Sequence, residues 1–117
     1  MAQSVVNIQG YFDSIPSGAG SIALAITNTT PPDHREQIVL ASGDNTITVP
    51  ALSDGVLIIP DSTSTVTKTL KGDTGDTGVE VSPTKPTLLT WPSTPPASFI
   101  LTTNGADTGK YTTFLFF

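Results

Sequence analysis

"STSTVTKTLKGDTGDTGVEV", residues 62–81, sets the reading of the whole chain. Its first half alternates: Val66, Lys68 and Leu70 fall on one side of an extended segment and Thr65, Thr67, Thr69 and Lys71 on the other, because successive strand side chains face opposite ways. Its second half holds two Gly-Asp-Thr triplets and runs into "VEV", a second short strand. Strand, connection, strand is the pattern, and one face of it is wet.

Four chemistries compete for the connection. A phosphate loop needs Gly-x-x-x-x-Gly-Lys-Ser/Thr opening a helix, whereas Lys71 precedes the glycines and Asp73 and Asp76 repel phosphate. A calcium loop needs six to eight oxygens; Asp73 and Asp76 offer few, and the Asp-x-Asp-x-Asp-Gly spacing is missing. Collagen requires Gly at every third place, and Gly72, Gly75 and Gly78 obey this, but two triplets without proline do not hold a triple helix. The reading left is a structural turn in which Gly72, Gly75 and Gly78 take φ above zero and Asp73 and Asp76 bond to nearby N–H groups.

The same texture extends outward in both directions. Short apolar runs recur as "SVVNI", "SIALAITN", "QIVLAS", "NTITVPAL", "GVLIIP", "STVTKTL", "VEV", "TLLTW", "SFILTT" and "YTTFLFF", each followed within a few residues by Gly, Pro, Asn or Asp. In "SIALAITN", Ile22, Leu24 and Ile26 share one face and Ala23, Ala25 and Thr27 the other. Proline stands at the ends of runs (Pro50, Pro60, Pro83, Pro86, Pro92, Pro95, Pro96), where its missing N–H breaks no ladder. Helical periodicity is nearly absent; "PPDHREQ" is the one candidate for a short helical turn. The expected fold is all-β: a single domain over residues 1–117, a β-sandwich of about eight to ten short strands, with the jelly roll as one form and a compact barrel as the alternative.

"VLIIP" and "FLFF" lack a polar face. Such runs are either central strands covered on both sides or surfaces awaiting a partner. The second reading is expected for Phe114, Leu115, Phe116 and Phe117, which at a free edge would invite aggregation. These four are the interface candidates.

Bulk properties narrow the function. The 117 residues suffice for one core, and the charged fraction is 13%. A net charge of −5, with only Arg35, Lys68, Lys71, Lys85 and Lys110 positive, leaves no basic footprint for nucleic acid. The cysteine count is 0, so neither disulfides nor thiolate metal sites arise. No apolar run approaches the roughly 20 residues of a membrane helix, and the N-terminus lacks the charged start and apolar core of a signal peptide. A protein made without a signal peptide, without membrane contact and without cofactor or metal, is expected.

Sites of chemistry are sparse. His34, the sole histidine, sits between Asp33 and Glu36; with no Cys and no second His, zinc would need carboxylates for nearly all its ligands. No Gly-x-Ser-x-Gly motif marks a nucleophile. Glu36 and Glu80 are the only glutamates available for paired-acid chemistry, so no catalytic residues are expected. Trp91, with Tyr11, Phe12 and Tyr111, offers a candidate platform for stacking on sugar rings; a core plug is the competing role for Trp91.

The run "VPALSDGVLIIPDSTSTVTKTLKGDTGDTGVEVSPTKPTLLTW", residues 49–91, resembles small proteins encoded among the virion structural genes of tailed bacteriophages, in which a similar Lys-Gly-x-x-Gly-Asp-Thr-Gly stretch recurs. This resemblance implies a non-enzymatic virion component, made in the host cytoplasm; the form favoured over a tail or fibre role is a head decoration or capsid-associated protein that binds copies of itself, with a trimer expected, and capsid or tail proteins. It also implies that Asp73, Thr74, Gly75, Asp76, Thr77 and Gly78 matter to the fold or to a contact. The alternative expectation is a carbohydrate-binding or host-attachment module of a tail or fibre, using Trp91 or Tyr11.

Overall fold

The structure, a computed structural model, describes residues 4–11, 21–28, 32, 34–92 and 94–117, and of residues 4–11 and 21–26 the backbone alone. Ten strands follow in chain order: β1 (Ser4–Tyr11), β2 (Ser21–Asn28), β3 (His34–Ile38), β4 (Gly43–Thr48), β5 (Gly55–Ile59), β6 (Lys68–Lys71), β7 (Val79–Val81), β8 (Thr87–Thr90), β9 (Ser98–Thr103) and β10 (Thr112–Phe116). The "HREQ" end of "PPDHREQ", expected to form a helical turn, instead belongs to β3. Its five residues register against β10 from Thr112↔Ile38 to Phe116↔His34, so tertiary pairing overrides the local helical preference.

Eight strands form two four-stranded antiparallel sheets, ordered β3-β10-β5-β8 and β4-β9-β6-β7. Each step along the chain from β3 to β10 crosses between the sheets, except β6 to β7, where the Gly-Asp-Thr connection returns the chain to the same sheet. That order is the jelly roll, a β-sandwich built of interleaved Greek keys. β1 and β2 form a sheet of their own among the described residues, a two-stranded ladder from Ser4↔Asn28 to Tyr11↔Ser21. Its root is tied to the sandwich where Asn28 Nδ2 donates to the Leu52 carbonyl at 3.0 Å.

Alternation fills the core from both sheets. Val56 and Ile58 on β5, Phe114 and Phe116 on β10, Ile47 on β4, and Phe99 and Leu101 on β9 are all buried, joined by Leu40 and Val49. The Phe99 and Phe114 rings bridge the two layers with centroids 6.1 Å apart and tilted, an arrangement that aromatic quadrupoles favour. The β3–β4 corner closes through Asn45, whose Oδ1 accepts from Ala41 N–H at 2.9 Å while Nδ2 donates to the Ala41 and Leu101 carbonyls.

The C-terminal strand corrects one expectation. β10 lies between β3 and β5, so Thr112, Phe114 and Phe116 point into the sandwich and Thr113 and Leu115 away from it. Phe117 continues inward: its N–H donates to the Gly55 carbonyl at 3.1 Å, and its carbonyl accepts from Gly55 N–H at 3.2 Å. A side chain at Gly55 would overlap the Leu89 carbonyl and the Phe117 ring, so only glycine admits that packing. Phe114, Phe116 and Phe117, at 0%, 5% and 4% exposure, are covered by their own chain and not by a subunit contact. Of the four interface candidates only Leu115 faces outward.

Candidate functional site

In the Gly-Asp-Thr connection both carboxylates turn back on their own loop. Asp76 Oδ2 accepts from the N–H groups of Asp73 (2.9 Å) and Gly72 (3.2 Å), and Asp73 Oδ1 accepts from Thr74 N–H at 2.7 Å. The loop is a structural turn braced by its aspartates. Its glycines differ from expectation, because only Gly78 has a positive φ, +79°; a Cβ there would strike the Leu70 carbonyl. Gly72 and Gly75 lie outside that region, the aspartate bonds having closed the turn without them. Among the described residues no group of three His, Cys, Asp or Glu side chains converges as a cation site.

The acids and the histidine do not assemble either. Glu36 lies on β3 and Glu80 on β7, edge strands of different sheets. His34 Nε2 stands 3.8 Å from Glu36 Oε2, with its ring against Phe116. Asp33 and Phe12 lie outside the described residues.

A polar cluster that sequence reasoning missed sits inside the fold. Lys68, 1% exposed, donates from Nζ to Ser64 Oγ (2.6 Å) and the Pro83 carbonyl (3.0 Å), with Asp107 Oδ2 at 3.6 Å; Ser64 Oγ in turn donates to the Asp107 carboxylate at 2.9 Å. Burial pulls the Lys68 amine below its ordinary 10.5, and the Asp107 charge pulls it back. A serine beside a depressed lysine is the contact of a nucleophile and its base. Here Ser64 and Asp107 are each 3% exposed, and the cluster ties the β5–β6, β7–β8 and β9–β10 connections together, so its evident work is to hold three loops. Alternation did place Lys68 on the face of Leu70; nothing in the sequence marked Asp107 as its partner.

Trp91 is half-buried. Its indole packs at a tilt on Phe99 (centroids 6.4 Å) and its Nε1 donates to Ser53 Oγ at 3.2 Å. One side of it lines a cleft of about 360 Å³ between the sheets, walled by Leu70, Leu89, Pro96 and Phe99, with Lys71 and Ser98 at its polar margin. Trp91 is thus part plug and part wall. The Tyr11 side chain lies outside the described residues, and Tyr111 is exposed elsewhere, before β10.

The outer faces of the two sheets differ. On β4-β9-β6-β7 it carries Asp44, Thr46, Thr48, Thr69, Thr102 and Glu80 around one buried apolar residue, Ile100, with Thr102 Oγ1 donating to Asp44 Oδ1 at 2.6 Å. On β3-β10-β5-β8, Leu115, Leu57 and Leu88 are direct register partners across three strands, and Ile59 lies beside them. All four are only half-buried, with Arg35, Gln37, Thr113 and Thr90 as the polar surround. Comparison with protein families, curated proteins and solved structures finds no significant match to this chain.

Proposed function

We propose that this protein is a non-enzymatic structural component of a bacteriophage virion, a small head decoration or capsid-associated protein that acts by self-association and by adhering to capsid or tail protein. The observation that carries the reading is the leucine row Leu115–Leu57–Leu88, an apolar stripe across three strands of one outer face. Contiguous apolar surface with a polar surround is the usual form of a protein contact. The resemblance of residues 49–91 to virion structural proteins supports the same reading, and the jelly roll is an architecture that capsid domains use, although fold alone never fixes function. Retention on purified particles tests it. The unaltered chain should stay bound at fixed copy number through washing, and the Leu57→Thr/Leu115→Thr variant should be lost at least tenfold more readily; equal retention, or no binding by either, overturns the reading.

The second reading, a carbohydrate-binding attachment module, draws on Trp91 lining a cleft. Its walls are mainly apolar, a poor match to sugar hydroxyls. Because Trp91 is the sole tryptophan, a shift of intrinsic fluorescence on titration with glycans is its direct sign.

A further inference from the structure

The Lys68–Asp107 pair has what a covalent reaction between its own members requires. We infer that the two side chains condense slowly after folding into an amide that cross-links the first residue of β6 to the β9–β10 connection. This goes beyond the virion reading and does not depend on it. Lys68 Nζ lies 3.6 Å from Asp107 Oδ2, with the two side chains 1% and 3% exposed. Such enclosure keeps out a foreign substrate. A reaction between two residues of one chain needs no entrance, and the exclusion of bulk water protects its product from hydrolysis.

Both reactants are held in place. Lys68 is paired on either side, with Val81 of β7 and with Thr103 of β9. The main chain of Asp107 donates to the Leu40 carbonyl at 2.9 Å and accepts from Lys110 N–H at 3.1 Å. Fixing two groups in contact makes their encounter unimolecular and removes much of its entropic cost.

Ser64 completes the site. Its hydroxyl accepts from Lys68 Nζ at 2.6 Å and reaches both carboxylate oxygens, Oδ1 at 3.0 Å and Oδ2 at 2.9 Å. One ammonium proton therefore passes to Ser64 Oγ while the hydroxyl's own proton passes to Asp107, leaving a neutral amine beside a neutral acid. The free amine is the nucleophile, and burial already draws Lys68 toward that form against the opposing Asp107 charge. Its lone pair forms the Nζ–Cγ bond. A second nitrogen proton follows the same relay, one Cγ–O bond breaks, and water leaves. Ammonium and carboxylate supply every atom of the amide and the water, so no co-reactant is needed. A serine hydroxyl is a weak acid at neutral pH, which keeps the step slow and leaves the freshly folded chain with its ion pair.

Mass spectrometry of the full chain, denatured after incubation in the folded state, is the test. The unaltered chain should become lighter by one water, lose tryptic cleavage after Lys68 and yield a branched peptide joining Lys68 to Asp107. Ser64→Ala, which retains both reactants, should lose water at least about tenfold more slowly, and Lys68→Met should lose none. An unchanged mass in the unaltered chain overturns the inference, whether or not the variants fold. Water loss without the branched peptide overturns it too, since ring closure at Asp54-Gly55 would release the same molecule. Equal rates in the unaltered chain and in folded Ser64→Ala overturn the relay.

Discussion

The buried Lys68 cluster and the outer leucine row are each in the wrong place by ordinary partition, in opposite senses. Lys68 carries its ammonium into the interior, while Leu115, Leu57 and Leu88 line up on an outer face. The difference lies in what the chain does about each. Lys68 is answered in full from within, by Ser64, the Pro83 carbonyl and Asp107. The leucines are only half-covered by their own chain. A sequence that pairs every buried proton donor of one cluster and leaves a three-strand apolar row open has, on this account, a second protein as part of its solvent.

The largest effect comes from breaking the interior half of the contrast. Asp107→Ala strips Lys68 of its countercharge and Ser64 of its acceptor, and denaturant unfolding should show a loss of about 3–5 kcal/mol. Replacing both, Lys68→Met/Asp107→Leu, should cost far less, because no unpaired charge remains. The pH dependence has a definite sign. With the folded Lys68 amine titrating below 10.5, the unfolded chain holds more protons in the window between the folded value and 10.5, so stability relative to the double variant rises with pH there and levels off above it.

The outer row should behave in the reverse way. Leu57→Thr/Leu115→Thr makes that face resemble the wet face of the other sheet, with a minor change in the melting temperature of the isolated chain and a major one in adhesion. The smallest effect sharpens the claim that the interior is self-sufficient, by addressing its exception. Thr112 Oγ1 is buried on β10 with no partner among the described residues, so Thr112→Val should leave stability unchanged or raise it by about 1 kcal/mol in thermal unfolding.

Much of the sandwich was legible because strand period is strict. Val66, Lys68 and Leu70 were assigned one face by alternation alone; Lys68 and Leu70 lie on the core-facing side of β6 and Thr69 and Lys71 on the other, but the strand starts at Lys68, so Thr65, Val66 and Thr67 belong to the connection before it and not to the alternating segment. Each of the ten apolar runs overlaps one of the ten strands, but the bounds shift: the pairing residues of "QIVLAS" start earlier at His34, "STVTKTL" enters its strand only at Lys68, and "NTITVPAL" leaves its strand after Thr48. What alternation does not encode is which strands are neighbours. "TFLFF" reads alike as a sticky end or a central strand, and only the insertion of β10 between β3 and β5 decides for the latter. The leucine row was illegible for the same reason, since Leu57, Leu88 and Leu115 become one surface only through register. Asp107 meets Ser64 across 43 residues of sequence separation, with no local pattern to announce the contact.

Light scattering of the unaltered chain across a dilution series tests the central claim most directly. The account predicts a mass that is a multiple of one chain and falls toward a single chain only at the dilute end. A sharp, soluble monomer at every concentration would contradict it.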